Sequence, residues 1–167
     1  MQKKVDYTQA IKNKYPEQII YAVAKDKAGK PNPMTIGWTM IASGDPPMMA
    51  IAVAHKRYTA EAVRYSKCFT IVFPASDASE EALFFGTKSG RDTDKIAEMN
   101  TPVTPAEKID SVLLTDAVAN FECTLESETV AGDHVIFVGR IVTSHINTEK
   151  KKRLYSLNPD GLMGPVN

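Results

Sequence analysis

The sequence predicts a mainly β fold with short helices, its strands wound into a closed or nearly closed antiparallel barrel. Three observations lead there. Six stretches show strand periodicity or short apolar runs bounded by turn formers. The helical patterns between them are short and lack the regular strand–helix alternation of a parallel sheet. No G-x-G-x-x-G follows any strand, so the usual dinucleotide turn is missing. At 167 residues, 43% hydrophobic and 24% charged, the chain suits a single soluble domain, 1–167, with a sizeable core.

Residues 1–16 are polar and mixed, and Pro16 marks the expected start of the ordered core. Residues 18–24 read as a first strand buried on much of both faces. Residues 26–33, dense in turn formers, close a hairpin onto the next strand at 34–43. That strand places Met34, Ile36, Trp38, Met40 and Ala42 on one face. Thr35, Gly37, Thr39, Ile41 and Ser43 fall on the other, a small hydroxylic face apart from Ile41. It suits the close approach of a flat polar ligand, although an ordinary strand with one dry and one wet face has the same pattern. Asp45-Pro46-Pro47 stops the strand, because consecutive prolines fix φ and remove donors.

Residues 48–54 form the third strand, with Ala50, Ala52 and Ala54 leaving one face nearly bare. Thr59 is placed to cap a helix over 60–66. A fourth strand at 68–73 ends at Pro74, and 79–85 reads as helix with Glu80 and Glu81 at its start. The polar loop 87–95 leads into a short helix through Met99, and 100–116 shows little periodicity. Residues 117–130 and 134–146 are the longest strand patterns, turning at Ala131-Gly132-Asp133. Lys150 to Arg153 reads as a solvated basic run, and the tail from Leu157 as irregular.

Twenty basic residues balance twenty acidic ones, which gives no global field for nucleic acid or an anionic membrane. Aromatic residues make up 8%, too few for a nucleic-acid stacking platform. The amino terminus lacks the apolar core of a signal peptide, and the longest apolar run, 48–54, is too short to span a bilayer. Cys68 and Cys123 form no C-x-x-C pair and sit in apolar strands, so buried free thiols and a cytoplasmic location are expected.

Two clusters invite chemistry. Lys56-Arg57-Tyr58-Thr59 at a helix start offers cations, a hydroxyl and free backbone N–H groups to a phosphate. Lys88-Ser89-Gly90-Arg91, with Lys95 just beyond, offers cations around a glycine that lets the backbone fold about an anion. A metal centre is disfavoured, because His55, His134 and His145 lack companions at ligand spacing. A serine nucleophile is disfavoured too, since there is no G-x-S-x-G and Ser89 has no base nearby. His134 follows Gly132-Asp133 and reads equally well as an exposed turn histidine.

The stretches N-P-M-T-I-G-W (32–38), S-G-D-P-P (43–47), K-R-Y-T (56–59), C-F-T-I-V-F-P (68–74), S-G-R-D-T-D-K (89–95) and G-D-H-V-I-F-V-G-R-I-V (132–142) agree together in order and spacing. In these the chain resembles the flavin reductase-like family of FMN-binding split barrels, which includes the flavoredoxins, over about residues 16–146. The resemblance implies one FMN per subunit of a homodimer. It assigns Arg57, Thr59, Ser89, Gly90 and Lys95 to the phosphate end and Thr39, Met40, Ile41 and Ala42 to the isoalloxazine. Trp38, His55, Tyr58 and Arg91, in or beside those motifs, complete the expected cofactor-binding set, and His134 matches a histidine on the nicotinamide side. The activity implied is an NAD(P)H-dependent flavin reductase, with NADH or NADPH passing hydride to FMN. The alternative is a non-enzymatic FMN electron carrier serving a redox partner protein. Neither nucleic acid nor membrane is an expected partner.

Overall fold

The alternating apolar runs become a seven-stranded antiparallel sheet that bends round until its two edges nearly meet. A computed structural model of the chain describes residues 1–166; Asn167, the end of the expected irregular tail, lies outside them. The chain opens with α1 (Tyr7–Ala10) and a 3-10 turn (Ile11–Lys14), neither of which buries a residue. Then follow β1 (Glu17–Gln18), β2 (Ile20–Lys25), β3 (Pro31–Ile36), β4 (Thr39–Gly44), β5 (Pro47–Ala54), α2 (Tyr58–Ser66) and β6 (Cys68–Phe73). Next come α3 (Ser79–Thr87), α4 (Lys95–Met99), β7 (Val103–Pro105) and β8 (Val112–Leu114). The chain finishes with β9 (Ala119–Ala131), β10 (His134–Ile146), β11 (Tyr155–Ser156) and β12 (Met163–Gly164).

The large sheet has the order β3-β2-β6-β9-β10-β5-β4. β3 and β4 are consecutive in the chain yet form its two opposite edges. Only Gly37 and Trp38 connect them, a link that spans no more than about 11 Å, so the sheet must curl. No pairing joins β3 to β4 among the described residues, and the sheet is not closed into a barrel. The run 34–43, expected as one strand, is therefore two. The break falls at Gly37, where a Cβ would stand 2.8 Å from the Glu17 carboxylate. Beyond it, Ala52 N–H donates to Trp38 O at 2.9 Å as the chain joins β5.

β2 is buried on both faces, as its continuous apolar pattern requires. Ile20, Ala22 and Ala24 join Ile51, Val53, Phe69, Ile71 and Phe137 under α2, which contributes Ala60 and Val63. Tyr21 and Val23 face the other way and pack with Val72, Ala82, Phe85 and Leu154 under α3. Gly139, at a register shift between β9 and β10, lets the strands close. A Cβ there would stand 2.6 Å from the Phe69 ring and 2.7 Å from Cys123 Cβ. Both cysteines are free and buried, and burial pushes the Cys123 thiol up to about 12.

Two stretches expected to be irregular carry pairing. Residues 100–116 contain the β7–β8 hairpin, and the tail supplies β12, which pairs with β11, itself paired with β1, in a small separate sheet. The segment between β7 and β8 is held by Glu122, fully buried on β9. Its oxygens accept from Glu107 N at 2.9 Å, Lys108 N at 2.7 Å and His145 Nε2 at 2.8 Å. Burial alone would raise this carboxyl's pKa, but those donors hold it below the usual range.

Candidate functional site

Where α2 begins, the chain builds one wall of a pocket of about 190 Å³. Arg57 is the N-cap of α2 and no side chain caps the helix, so first-turn N–H groups are left for a ligand. Thr59, expected to be the cap, lies inside the helix and is buried, its Oγ1 accepting from Asn32 Nδ2 at 3.0 Å. The opposite wall is the stretch from Phe85 to Arg91. Lys56, Arg57, Lys88, Arg91 and Lys95 line the pocket and no carboxylate does.

Two buried polar groups line this pocket. Lys95 is 4% exposed, and its Nζ donates to Pro33 O at 2.8 Å and Phe85 O at 2.9 Å, with no carboxylate partner. Burial, reinforced by the Arg57 cation, lowers its pKa to about 8. Asn32, 3% exposed, has an Oδ1 with no hydrogen-bond partner. Gly90 lies directly against it: a Cβ there would stand 2.0 Å from Asn32 Oδ1, so only glycine fits. A buried ammonium and an orphaned acceptor each cost free energy unless a ligand completes them.

The pocket continues past Met34, Lys56 and Arg57, which it shares with a second hollow of about 340 Å³. Thr35, Ile36, Gly37 and Trp38 line that hollow on the β3 side, Ala52 and Ala54 on the β5 side, and Asp133 and His134 at the β9–β10 turn. The alanines of β5 keep it shallow and flat. His134 Nδ1–H donates to Asp133 Oδ1 at 2.7 Å, and this bond holds the Asp133 carboxyl below its usual range. The Trp38 ring lies against His134 with centroids 4.6 Å apart. The groove is thus basic at one end and flat at the other.

The chain matches the family described as flavin reductase like domain over residues 13–160. It belongs to the flavin reductase-like family. An uncharacterised protein of Archaeoglobus fulgidus is 29% identical over 113 residues, 68% of this chain and 64% of that protein. The chain thus spans just under two thirds of that relative's length. In structure it is similar to the flavoredoxin of Methanosarcina acetivorans, with TM-score 0.88, 22% identity, and cover of 100% of this chain and 92% of that one. The NADH:FAD oxidoreductase of Streptomyces globisporus superposes with TM-score 0.84 at 17% identity, covering 100% of this chain and 99% of that one. Likeness at these identities establishes the fold.

Within this flavin reductase-like fold the expected residues divide. Arg57, Tyr58, Thr59, Ser89, Gly90, Arg91 and Lys95 come together in the basic pocket, and Trp38 and His134 in the flat hollow. Thr39, Met40, Ile41 and Ala42 are not brought into the groove. Thr39 Oγ1 donates to Ala50 O at 2.9 Å, and Met40, Ile41 and Ala42 are exposed on the edge strand β4. Trp38, Thr39 and Met40 line a separate, almost wholly apolar hollow of about 270 Å³ with Ala50, Ile51, Ala52 and Ile136. His55 also lies outside: its Nε2 meets Gly132 O at 3.2 Å and its N–H donates to Asp133 O, tying the β9–β10 turn to β5. Asn32 and Met34 also line the basic pocket but were not singled out from the sequence as candidate site residues. Asn32 sits between two prolines in a turn-rich stretch, which hides it among turn formers. Among the described residues, no helix is long and apolar enough to cross a membrane, and no cluster of His, Cys, Asp and Glu could hold a metal ion.

Proposed function

We propose that this chain is an FMN-dependent oxidoreductase, an NAD(P)H:flavin reductase whose groove holds FMN with its phosphate at the Lys95 end. The observation that carries this reading is the buried Lys95 ammonium facing a carboxylate-free basic pocket that opens into a flat hollow. FMN supplies the two-electron redox chemistry when bound. Lys95, Arg57, Ser89 and the open N-terminus of α2 neutralise and fix the phosphate. Ala52 and Ala54 admit a planar ring, and Trp38, tilted against His134, borders the space beside it. His134, anchored by Asp133, presents a nitrogen without a protein partner to that space. The exposed β4 edge, with Met40 60% and Ile41 78% exposed beside the apolar hollow, serves a homodimer contact.

Anaerobic stopped-flow bleaching of the flavin band by NADH and by NADPH tests the activity. Reduction faster than that of free FMN is the expected result. If neither nucleotide reduces the bound flavin, the electron-carrier reading replaces it. That second reading draws on Trp38, half exposed at the mouth of the hollow, where a partner protein can reach it. A colourless protein that fails to quench FMN fluorescence at micromolar concentration removes both.

A further inference from the structure

We propose that Asp133 is a positioning residue that holds His134 as a hydrogen-bond acceptor toward the flat hollow, so that the hollow selects a ring carrying a carboxamide N–H. This rests on the reading that a nicotinamide is the ligand there. The two ring nitrogens of a neutral histidine differ. One carries the proton and donates, the other accepts, and the partner of the first decides which is which. Asp133 Oδ1 lies 2.7 Å from His134 Nδ1, and an ionised carboxylate can only accept. The proton is therefore on Nδ1, and Nε2 keeps its lone pair. Among the described residues Nε2 has no protein partner, and its side chain lines the flat hollow.

The ring is held at its face as well as its edge. Trp38 lies against it, with centroids 4.6 Å apart and planes tilted by 35°. The turn that carries Asp133 is tied to β5, since His55 N–H donates to Asp133 O at 3.2 Å and His55 Nε2 meets Gly132 O at 3.2 Å. The other polar side chains that line the hollow do not compete for a ligand N–H. Lys56 and Arg57 only donate. Thr35 Oγ1 is engaged with Ala82 O at 2.6 Å, and the Asp133 carboxylate with His134. Nε2 is the neutral side-chain acceptor left to a ligand. The carboxamide of a nicotinamide brings a donor to it, whereas a methyl ketone on the same ring brings none.

NMR of the imidazole nitrogens in the FMN-loaded protein, at a pH where histidine is neutral, reads the tautomer in wild type, Asp133→Ala and Asp133→Asn. The Asp133 side chain is 90% exposed, so both variants keep the fold. The expected result is the Nδ1–H form in wild type and a shift toward the Nε2–H form in both variants. Alanine offers nothing to Nδ1, and the asparagine amide can donate to it. Isothermal titration of the same proteins with NAD+, NADP+ and their acetylpyridine analogues, in which a methyl group replaces the carboxamide nitrogen, reads the consequence. Wild type should favour the carboxamide by about two- to tenfold, the worth of one neutral hydrogen bond. The variants should lose most of that preference, because an Nε2–H donor meets the carbonyl that both ligands share. An Nε2–H ring in wild type, or an unchanged tautomer in the variants, overturns the positioning role. A preference that is absent in wild type, or unchanged in the variants, overturns the selection. Failure of every dinucleotide to bind FMN-loaded wild type overturns the nicotinamide reading, and the selection with it, while the tautomer still decides the role of Asp133.

Discussion

A lysine ammonium buried without a carboxylate makes ligand binding and stability respond to pH in opposite directions. With its pKa lowered to about 8, Lys95 is charged below pH 8 and loses its proton above it. FMN affinity should therefore fall as pH rises through about 8, while riboflavin, which lacks the phosphate, shows no such loss. In the ligand-free protein the unfolded chain keeps this proton up to the ordinary lysine value of 10.5. Between about pH 8 and 10.5 the unfolded state thus binds more protons, and the Lys95 contribution to stability rises with pH. Lys95→Met should abolish both trends and weaken FMN by about ten- to a hundredfold, the loss of a charge-assisted contact, with a smaller effect on riboflavin. Fluorescence titrations and urea unfolding, each across pH, measure the two. That the cations and Gly90 gather at one pocket was legible, because adjacent basic residues around a glycine have little use in a core. The place of Thr39 was not. Alternation assigns a residue to a face, but not to the partner that face meets, and here the partner is the Ala50 carbonyl. Thr39→Val should cost about 0.5–1.5 kcal/mol in chemical denaturation and leave flavin affinity unchanged.

Among the elements, β6 falls on the bounds of its sequence pattern, and the two longest strands, β9 and β10, each start and end within two residues of theirs. Their apolar and β-branched runs outlast any helix period, and Gly132-Asp133 marks the turn. What the pattern does not reveal is the register shift at Gly139, which depends on Phe69 and Cys123 arriving from other strands. Gly139→Ala should overpack that junction and cost about 1–3 kcal/mol, read as a lower urea midpoint with an unchanged slope. The 34–43 run looked continuous because its alternation passes through Gly37 and Trp38. The break falls where Gly37 packs against Glu17, distant in sequence. Glu122 was hidden for a similar reason: a lone acid in an apolar strand gives no hint that two backbone N–H groups and His145 converge on it. Because its pKa is depressed, its contribution is full above the ordinary glutamate pKa and is lost as pH falls through the lower folded value. The stability difference between wild type and Glu122→Gln should be constant near neutrality and shrink below about pH 4 in acid titrations followed by circular dichroism.

For the molecule as a whole, the mainly β class was readable from the strand patterns, while the sheet order was not, since β6 pairing with both β2 and β9 is a matter of distant partners. Composition was equally silent on assembly. The exposed Met40 and Ile41 on β4 make the dimer testable. Light scattering should give about twice the 18.3 kDa chain mass for wild type, and a single chain mass for Met40→Glu/Ile41→Glu with unchanged far-ultraviolet circular dichroism. The unclosed seam between β3 and β4 has a further cost for a cell that makes this protein. β4 pairs with β5 alone, so one side of it offers free backbone groups next to apolar side chains, a template for any other extended chain. A protein that needs an open groove cannot zip that edge shut internally. Should a second copy cover β4, the same contact that makes the dimer would also remove this template, and the Met40→Glu/Ile41→Glu variant should then aggregate more readily on concentration than wild type.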